Sequence, residues 1–330
     1  MDRGDGFNFF KSLWQNDEDR RHGCFKNTMT SANALRNLSG LSGKRLVVFG
    51  AGYVGGELAR QAVEAGARVT ALTRNEETAR AFAAKGIEAV VADLASDAWH
   101  ERIAGGADFV VNCVSGGGAG IDGYRRSYLE GMRSVAGWLT AKGGAGAAVY
   151  TSSTSVYPQD GGVRVDEAAA VDREGERPRV LVEAEELLLN LPKAAGRRAV
   201  LRLAGIYGPG RHHLLEQVRS GEVAGRGEHR LNLIHREDIC AAIWSALLAS
   251  AADGEIFNVA DDGAAPKSEI VAWLAGKLGV ALPVFTGAPA AGRRAVTPDR
   301  VIDNAKIKRV LGWRASYPSF REGYVAILGA

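Results

Sequence analysis

RLVVFGAGYVGG, residues 45–56, is the stretch that decides the fold. Its first five residues are a β-rich apolar run, and three glycines follow this run at the spacing GxGxxG. From Tyr53 to Ala65 the apolar side chains recur at helical spacing. A strand that passes through a glycine-rich turn into a helix predicts the unit that holds the phosphates of a dinucleotide.

Each position of this turn has a physical reason. Gly50 allows the tight turn, Gly52 lets the backbone approach a pyrophosphate, and Gly55 lets the helix pack close to the strand. Tyr53 and Val54 begin the helix, where backbone N–H groups and the helix dipole attract phosphate. The alternative is a glycine-rich turn that binds no ligand.

Apolar runs and amphipathic segments alternate from Lys44 to Gly210, which predicts βαβ units and a parallel sheet covered by helices on both faces. We therefore expect an α/β fold, a Rossmann-type doubly wound sheet over residues 44–210, with a smaller C-terminal α+β substrate lobe over residues 211–330. That lobe can return strands or helices to the main domain.

Residues 1–43 are polar and aperiodic, which predicts a disordered tail; Met29 is a candidate start of the native chain. The predicted strands are 45–49, 68–73, 87–92, 109–114, 147–152, 199–203 and 256–259, and the predicted helices include 124–141, 180–190, 214–220, 239–249 and 267–278.

Composition narrows the class of protein. The 330 residues carry a net charge of only +3, so nothing global points to nucleic acid or a membrane surface. The three cysteines lack CxxC spacing, which argues against a metal site and favours a reducing compartment, here the cytoplasm. The longest apolar run, Ile239 to Ala252, is too short to span a membrane.

The end of the second strand predicts which nicotinamide cofactor binds. An acidic residue there usually accepts the ribose hydroxyls of NAD. Here the strand ends in Thr73-Arg74-Asn75, and a guanidinium such as that of Arg74 suits the 2′-phosphate of NADP. We expect NADP rather than NAD; the alternative is a solvated surface arginine.

Two further strand ends belong to the predicted cofactor site. Asp93 and Leu94 follow the third strand, where Asp93 either lies beside the adenine or caps the next helix. Cys113, Val114 and Ser115 end the fourth strand beside the expected cofactor. We interpret Cys113 as a small buried residue rather than a nucleophile, because no basic partner is evident.

Several segments resemble those of the extended short-chain dehydrogenase/reductases, in particular the NAD-dependent epimerase/dehydratase-like members. The resemblance covers roughly Lys44 to Leu328 and implies an NAD(P)-dependent oxidoreductase or epimerase. The segments that carry it, besides the glycine turn, are TSSTSVYP (151–158), LRLAGIYGPGR (201–211), NLIHREDIC (232–240), FNVADD (257–262) and NAKIKRVLGW (304–313).

The resemblance implies a catalytic Ser, Tyr and Lys, in which Tyr and Lys form a YxxxK pair. Ser153 matches the serine, which holds the substrate oxygen; the alternative is a strand-end serine bonded to backbone. Arg177 falls on the tyrosine position and Leu181 on the lysine position. No tyrosine or lysine occurs between Gln159 and Pro192, so the usual proton relay is missing.

Other residues are candidates to replace this relay. Tyr157 follows Ser153 closely, and Tyr124 and Tyr128 belong to a neighbouring helix. Arg177 or Arg179 is a candidate to stabilise negative charge on an oxygen without moving a proton. The alternatives are that Tyr157 only packs in the interior and that the two arginines are surface charges.

Basic residues gather in the segments expected to form the substrate cleft. Arg211, His213 and His235 are candidate contacts for a phosphate or carboxylate on a small, anionic or nucleotide-linked substrate. The alternatives are a solvated basic loop and, for His235, a structural histidine bonded to backbone. We expect Asp238 to cap a helix that begins at Ile239.

Two functions remain open from the sequence. The first is an NADP-dependent oxidoreductase or epimerase with an altered proton relay. The second is a non-catalytic NADP(H)-binding redox sensor or scaffold, which a closed or apolar cleft would favour. A homodimer is compatible with the resemblance.

Overall fold

A seven-stranded sheet with every neighbouring pair parallel forms the centre of the protein. The computed structural model describes residues 37–116, 120–288 and 298–329. The sheet strands have the order β7-β6-β5-β4-β1-β2-β3. In chain order they are β1 Arg45–Phe49, β2 Arg68–Thr73, β3 Glu88–Val91, β4 Ala107–Asn112, β5 Ala145–Ser153, β6 Arg197–Leu203 and β7 Glu255–Val259.

The strand order reverses at β1. Phe49, the last residue of β1, pairs with Leu72 of β2 on one side and with Asn112 of β4 on the other. The carboxyl ends of these three strands therefore meet at one edge, where a doubly wound sheet opens a crevice for ligands. The predicted Rossmann-type fold is confirmed.

Helices cover both faces of the sheet, and buried apolar side chains form a separate core on each face. The parallel strands are accordingly almost wholly apolar, as burial on both faces requires. The helices are α1 Tyr53–Glu64, α2 Glu76–Ala83, α3 Gly120–Arg125, α4 Gly131–Ala141, α5 Glu176–Leu189, α6 His213–Ser220, α7 Arg236–Leu248, α8 Lys267–Leu278, α9 Ala305–Leu311 and α10 Phe320–Leu328.

A third apolar core belongs to a smaller lobe, in which α6, α8 and α10 pack around Phe320 and Ile270. Strand β7 and helix α7 lie between parts of this lobe in sequence, yet β7 pairs with β6 and α7 packs on the main sheet. The lobe therefore returns two elements to the central domain. Its short strands are Gly205–Tyr207, Glu222–Val223, Arg230–Leu231, Leu233–His235, Ala265–Pro266 and Val284–Phe285, and Val163–Val165 pairs with Arg300–Ile302 outside the main sheet.

Several boundaries differ from those that the sequence predicts, and three of these differences change an interpretation. A 3₁₀ helix, Asn37–Leu41, buries Leu38 and Leu41 in the core, so the folded chain begins before Lys44. Residues 1–36 of the predicted tail lie outside the described residues. The predicted helix 124–141 begins at Gly120 and contains a π-helical turn, Arg126–Glu130.

The third difference concerns the cap of α7, where the prediction for Asp238 is wrong. The helix begins at Arg236, and the ring Nδ1 of His235 accepts the Glu237 N–H at 3.3 Å as the N-cap. The Asp238 carboxylate is buried and instead accepts the N–H groups of Ser316 and Tyr317 at 2.7 and 3.1 Å. The apolar periodicity begins only at Ile239, so it predicts a helix start about one turn after the observed start at Arg236.

Candidate functional site

A large cleft opens at the carboxyl ends of the sheet strands. It extends from the glycine turn after β1, past the ends of β2 to β5, to the smaller lobe. Its volume, about 1460 Å³, exceeds the roughly 300–1000 Å³ typical of one small-molecule site. The cleft therefore has room for a dinucleotide and a second ligand.

The glycine turn has the geometry of a phosphate cradle. Gly50 has φ +82°, and a Cβ there would lie 2.4 Å from the backbone nitrogen of Val114. At Gly55 a Cβ would lie 2.5 Å from the Gly50 carbonyl oxygen, so only glycine lets α1 approach β1 this closely. At Gly52 a Cβ would meet no atom of the described residues within 4 Å. Gly52 also lines the cleft, so the space at its Cβ position is open to a ligand.

Tyr53 joins this turn to the smaller lobe. Its hydroxyl donates to the carbonyl of Pro209 at 3.0 Å. The guanidinium groups of Arg211 and Arg236 lie 5.5 and 5.0 Å from its ring centroid, which is within cation–π range. Arg211 thus reaches the cleft beside the phosphate cradle.

The ends of β2 and β3 form the adjoining wall. Arg74 is exposed there, and within the described parts of the chain it makes no hydrogen bond or ion pair. Asp93 accepts the Ala95 N–H at 3.0 Å and pairs with Arg126 at 2.8 Å. Burial opposes ionisation of Asp93, but these two contacts outweigh it and lower its pKa. Asp93 thus ends its turn as a local cap, and with Leu94 it also lines the cleft.

The end of β4 is fixed by backbone hydrogen bonds. The Cys113 N–H donates to the Phe49 carbonyl at 2.7 Å, and the Val114 N–H donates to the Asn112 side chain at 3.1 Å. Cys113, Val114 and Ser115 all line the cleft. Burial raises the pKa of the Cys113 thiol to about 12, so this cysteine is not poised as a nucleophile.

Ser153 lies at the end of β5 and lines the cleft. Its hydroxyl oxygen accepts the Ser155 N–H at 3.1 Å. This contact uses the oxygen as an acceptor and leaves the hydroxyl hydrogen available to donate. Ser153 therefore combines the backbone-bonded role with a position that can hold a ligand oxygen.

The two relay positions lie on one face of α5 but in different environments. Arg177 lines the cleft, with its guanidinium 5.3 Å from the ring centroid of Tyr124. Leu181, one turn later, is fully buried in the core. The first position faces ligand space, whereas the second has become part of the packing.

Tyr157 is not brought to the cleft. Its side chain is 1% exposed, its hydroxyl donates to Asn258 at 2.8 Å, and Arg202 donates to it at 2.9 Å. The interpretation of Tyr157 as a relay residue therefore conflicts with its position in the interior. Tyr157 is close to Ser153 in sequence but not in the cleft, because the 3₁₀ turn Thr154–Val156 between them changes the direction of the chain.

His235 is also in the interior, with its ring 4.0 Å from that of Tyr317. Burial, with the charge of Arg236, lowers the pKa of His235 to about 4. His235 caps α7 through a bond to the backbone, which matches the alternative of a structural histidine. Its burial conflicts with a direct contact to the substrate. Arg211 and His213 do line the cleft.

The smaller lobe adds basic residues that sequence reasoning did not assign individually. Three of them lie in one short stretch, residues 226–230, and two come from later segments, so no single motif links the set. Among the described residues that line the cleft, Asp93 is the only carboxylate, and it is paired with Arg126. These additional basic residues are Arg226, His229, Arg230, Lys267 and Arg300.

Comparison with known proteins gives matches over most of the chain. Residues 46–260 match the sequence model of the NAD dependent epimerase/dehydratase family. Protein YeeZ of Escherichia coli (strain K12) is 35% identical over 170 residues, which cover 52% of this chain and 58% of YeeZ. The match thus spans little more than half of that relative.

Two solved structures show the same fold. A functionally unknown conserved protein from Silicibacter pomeroyi DSS has a TM-score of 0.69 and 26% identity, covering 87% of this chain and 98% of its own. DesIV (dTDP-glucose 4,6-dehydratase) from Streptomyces venezuelae, with NAD and TYD bound, has a TM-score of 0.72 and 20% identity, covering 86% of this chain and 96% of its own.

The part of the chain that the structure describes contains neither a metal-binding cluster nor a membrane-spanning helix. No cluster of three or more His, Cys, Asp or Glu side chains there is arranged to hold a metal ion. Within the same residues, no helix is long and apolar enough to cross a bilayer.

Proposed function

Because the chain belongs to the NAD dependent epimerase/dehydratase family, we propose that it is an NADP(H)-dependent oxidoreductase or epimerase-like enzyme. Its substrate is a small polar, anionic or nucleotide-linked molecule. One observation carries this proposal: a single cleft joins the phosphate cradle at Gly52 to a lobe lined by basic side chains. Membership of the family supports a nicotinamide dinucleotide as the cofactor.

The preference for NADP rests on Arg74. Its side chain stands at the end of β2 beside Asn75 and Thr78, and all three residues line the cleft. A 2′-phosphate placed there gains a charge-assisted contact with the guanidinium. Asp93, which lies nearby, already has Arg126 as its partner.

Calorimetric titration with NADPH and NADH tests this preference. We expect Arg74→Ala to weaken NADPH binding by roughly tenfold to 100-fold, since a charged hydrogen bond contributes about 1.5–3 kcal/mol, and to change NADH binding little. Arg80→Ala, on the exposed side of α2, is the matched control and should bind both as the unaltered protein does. Equal losses for NADPH and NADH would reject the role of Arg74, and absence of binding to both would reject the cofactor site.

Ser153 and Arg177 have distinct proposed roles in catalysis. The bound nicotinamide supplies or accepts a hydride at the substrate carbon. The Ser153 hydroxyl donates to the substrate oxygen and orients it. Arg177 stabilises negative charge that develops on this oxygen, but it cannot move the proton because guanidinium remains charged.

The substrate end of the cleft favours an anion. Arg211, His213 and Lys267 line it, together with Arg230, which pairs with Asp299 at 2.8 Å, so a phosphate or carboxylate finds several basic side chains. A panel of UDP-sugars, dTDP-sugars and phosphorylated aldehydes, followed by the change in nicotinamide absorbance, tests this. His235 and Tyr157 are left out of the proposed contacts because both are buried.

A non-catalytic redox sensor or scaffold is the alternative, and the loss of the Tyr/Lys pair favours it. The wide cleft, with Ser153 and basic side chains on its walls, favours the enzyme. Tight cofactor binding without turnover of any substrate in the panel would decide for the sensor. A cytoplasmic location and a homodimer stay predictions; light scattering measures the second.

A further inference from the structure

Tyr128 occupies the part of the cleft where the missing proton relay is needed. It lines the cleft together with Val114, Thr151 and Ser153, at the ends of β4 and β5. Its ring lies against the backbone of Gly116, just beyond β4, where a Cβ at Gly116 would be 3.1 Å from Tyr128 Cε2. The phenol therefore lies beyond the end of β4, and β4 pairs with β5, the strand that ends at the proposed substrate-orienting serine.

The helix that carries Tyr128 is distorted at this residue. Arg126–Glu130 is a π-helical turn between α3 and α4. Such turns insert one residue into an α-helix and are frequent at functional sites. The rings of Tyr124 and Tyr128 lie 4.5 Å apart with an interplanar angle of 50°, and the Arg177 guanidinium lies over the Tyr124 ring.

Other proton donors on the cleft wall are already hydrogen-bonded to a backbone carbonyl or lie in the smaller lobe. The Tyr53 hydroxyl donates to the carbonyl of Pro209. Tyr207 donates to the carbonyl of Ser319 in the smaller lobe, and His213 begins α6 there. Among the described residues that line the cleft, Tyr128 is the phenol at the ends of β4 and β5.

The charges around Tyr128 suit a proton donor. Burial raises the pKa of the Tyr128 hydroxyl, while the backbone of Gly116 and the charges of Arg177 and Arg211 act in the opposite direction. The other titratable neighbours are the tyrosines 124 and 150. The hydroxyl is thus protonated at neutral pH, and two guanidinium groups stabilise the phenolate once the proton has left.

We propose that Tyr128 is the catalytic acid and base of this chain, in place of the tyrosine and lysine lost at Arg177 and Leu181, and that the charge of Arg177, besides its proposed effect on the substrate oxygen, stabilises the Tyr128 phenolate. This inference rests on the proposed function, since it needs a bound nicotinamide and a carbonyl or alcohol substrate. In the reducing direction the carbonyl carbon gains a hydride from the reduced nicotinamide. The C=O π pair moves onto oxygen, which takes the Tyr128 proton, and the phenolate regains a proton from water. Alcohol oxidation reverses each transfer.

Carbon-13 NMR of protein labelled at the tyrosine ζ-carbons tests the proposal without a substrate. The chain has eight tyrosines, and Tyr128→Phe identifies the Tyr128 signal by removing it. The protein is titrated from about pH 7 to about pH 11, alone, with NADP⁺, and with 2′-phospho-ADP-ribose, which lacks the nicotinamide. Calorimetry with the same two ligands establishes that each is bound.

We expect NADP⁺ to lower the midpoint of the Tyr128 signal by roughly one pH unit or more, because a fixed positive charge within about 4–6 Å has an effect of this size. The nicotinamide-free fragment should leave the midpoint unchanged, and Arg177→Leu should raise it. The signals of Tyr157 and Tyr317, which are not among the described residues that line the cleft, are internal controls that should not respond.

The possible failures can be told apart. If neither ligand binds, the proposed function is wrong and the relay falls with it. If both bind and the Tyr128 midpoint is the same with each, the relay alone is wrong. Once the panel yields a substrate, Tyr128→Phe should lower kcat by about 100-fold or more with an unchanged Kd for NADP⁺; an equal loss in both would mark a structural role.

Discussion

The two walls of the cleft differ in how closely they keep the pattern of the family. The first wall, residues 50–55 with Arg74 and Asp93, has a glycine wherever the backbone leaves no room for a side chain. The second wall, Ser153 with Arg177 of α5, keeps the serine but has Arg177 at the first relay position, and the buried Leu181 stands at the second. Backbone geometry constrains the first wall, whereas side chains alone define the second, so chemistry can change there without loss of the fold.

A buried carboxyl group that does not line the cleft should dominate the pH dependence of the protein's stability. Asp261, just beyond β7, is 4% exposed, and burial with the nearby charges of Asp262 and Asp238 raises its pKa to about 8. The folded protein holds this proton where the unfolded chain has released it, so the contribution of Asp261 to stability falls as pH rises from about 4 to about 8. Asp261→Asn should remove this loss, on the order of 5 kcal/mol at pH 8.

Denaturant unfolding at several pH values measures the effect. The difference in stability between Asp261→Asn and the unaltered protein should grow over this pH range. Asp122, on α3, is exposed, so Asp122→Asn is the control without such growth. A constant difference for Asp261→Asn would mean that the carboxyl ionises normally.

A buried ion pair holds α5 against the sheet below the relay positions. Glu185 and Arg202 are 2% and 4% exposed and lie 2.6 Å apart, and Ser152 donates to the same carboxylate at 2.5 Å. Glu185→Gln leaves the guanidinium buried without a counter-charge and should cost about 3–5 kcal/mol. Chemical denaturation gives this value.

Two further variants test whether the loss comes from the buried guanidinium without its counter-charge. Glu186→Gln breaks the exposed pair with Arg173 and should cost at most about 1 kcal/mol. The double variant Glu185→Leu with Arg202→Met should recover most of the loss, since apolar replacement of a buried pair is often neutral. If Glu185→Gln were as mild as Glu186→Gln, this pair would not anchor the second wall.

On the first wall, Gly52→Ala and Gly55→Ala should separate binding from folding. At Gly52 the described residues leave the Cβ position free, so we expect stability within about 1 kcal/mol of the unaltered protein. Cofactor affinity should fall on the order of 100-fold, or about 2.7 kcal/mol, because the methyl group stands where the pyrophosphate approaches. Calorimetry and thermal unfolding measure the two quantities.

Gly55→Ala should lose both properties, because its Cβ would overlap the Gly50 carbonyl oxygen at 2.5 Å. An unchanged cofactor affinity in Gly52→Ala would show that the ligand does not approach the turn at this residue.

Asp93→Asn should have the smallest effect. The variant removes the ion pair with Arg126 but keeps an acceptor for the Ala95 N–H. Because the pKa of Asp93 is lowered, its contribution is present above the unfolded pKa of about 4 and is lost as pH falls through the folded value. With a side chain 35% exposed, we expect a loss at neutral pH of at most about 1 kcal/mol.

Titration of NADPH into the same variant addresses the two interpretations of Asp93. A fall in affinity would support a contact with the adenine, and an unchanged affinity would leave Asp93 as a local cap.

The sequence by itself determined the sheet and the phosphate cradle, because local patterns encode both. Apolar runs of strand length and the GxGxxG spacing depend only on neighbours in the chain, and the departure at Arg177 and Leu181 is likewise readable without coordinates. The bounds of α5 and α7 were less certain, since the first turn of each lacks the apolar periodicity.

Only the tertiary structure decided which side chains reach the cleft. Tyr157 and His235 lie close to cleft residues in sequence, yet the local turn and the helix start direct both into the core. Tyr128 reaches the cleft through a π-helical turn, and Arg226, Lys267 and Arg300 arrive from distant segments. Such placements depend on packing between elements far apart in the chain, and no local pattern records them.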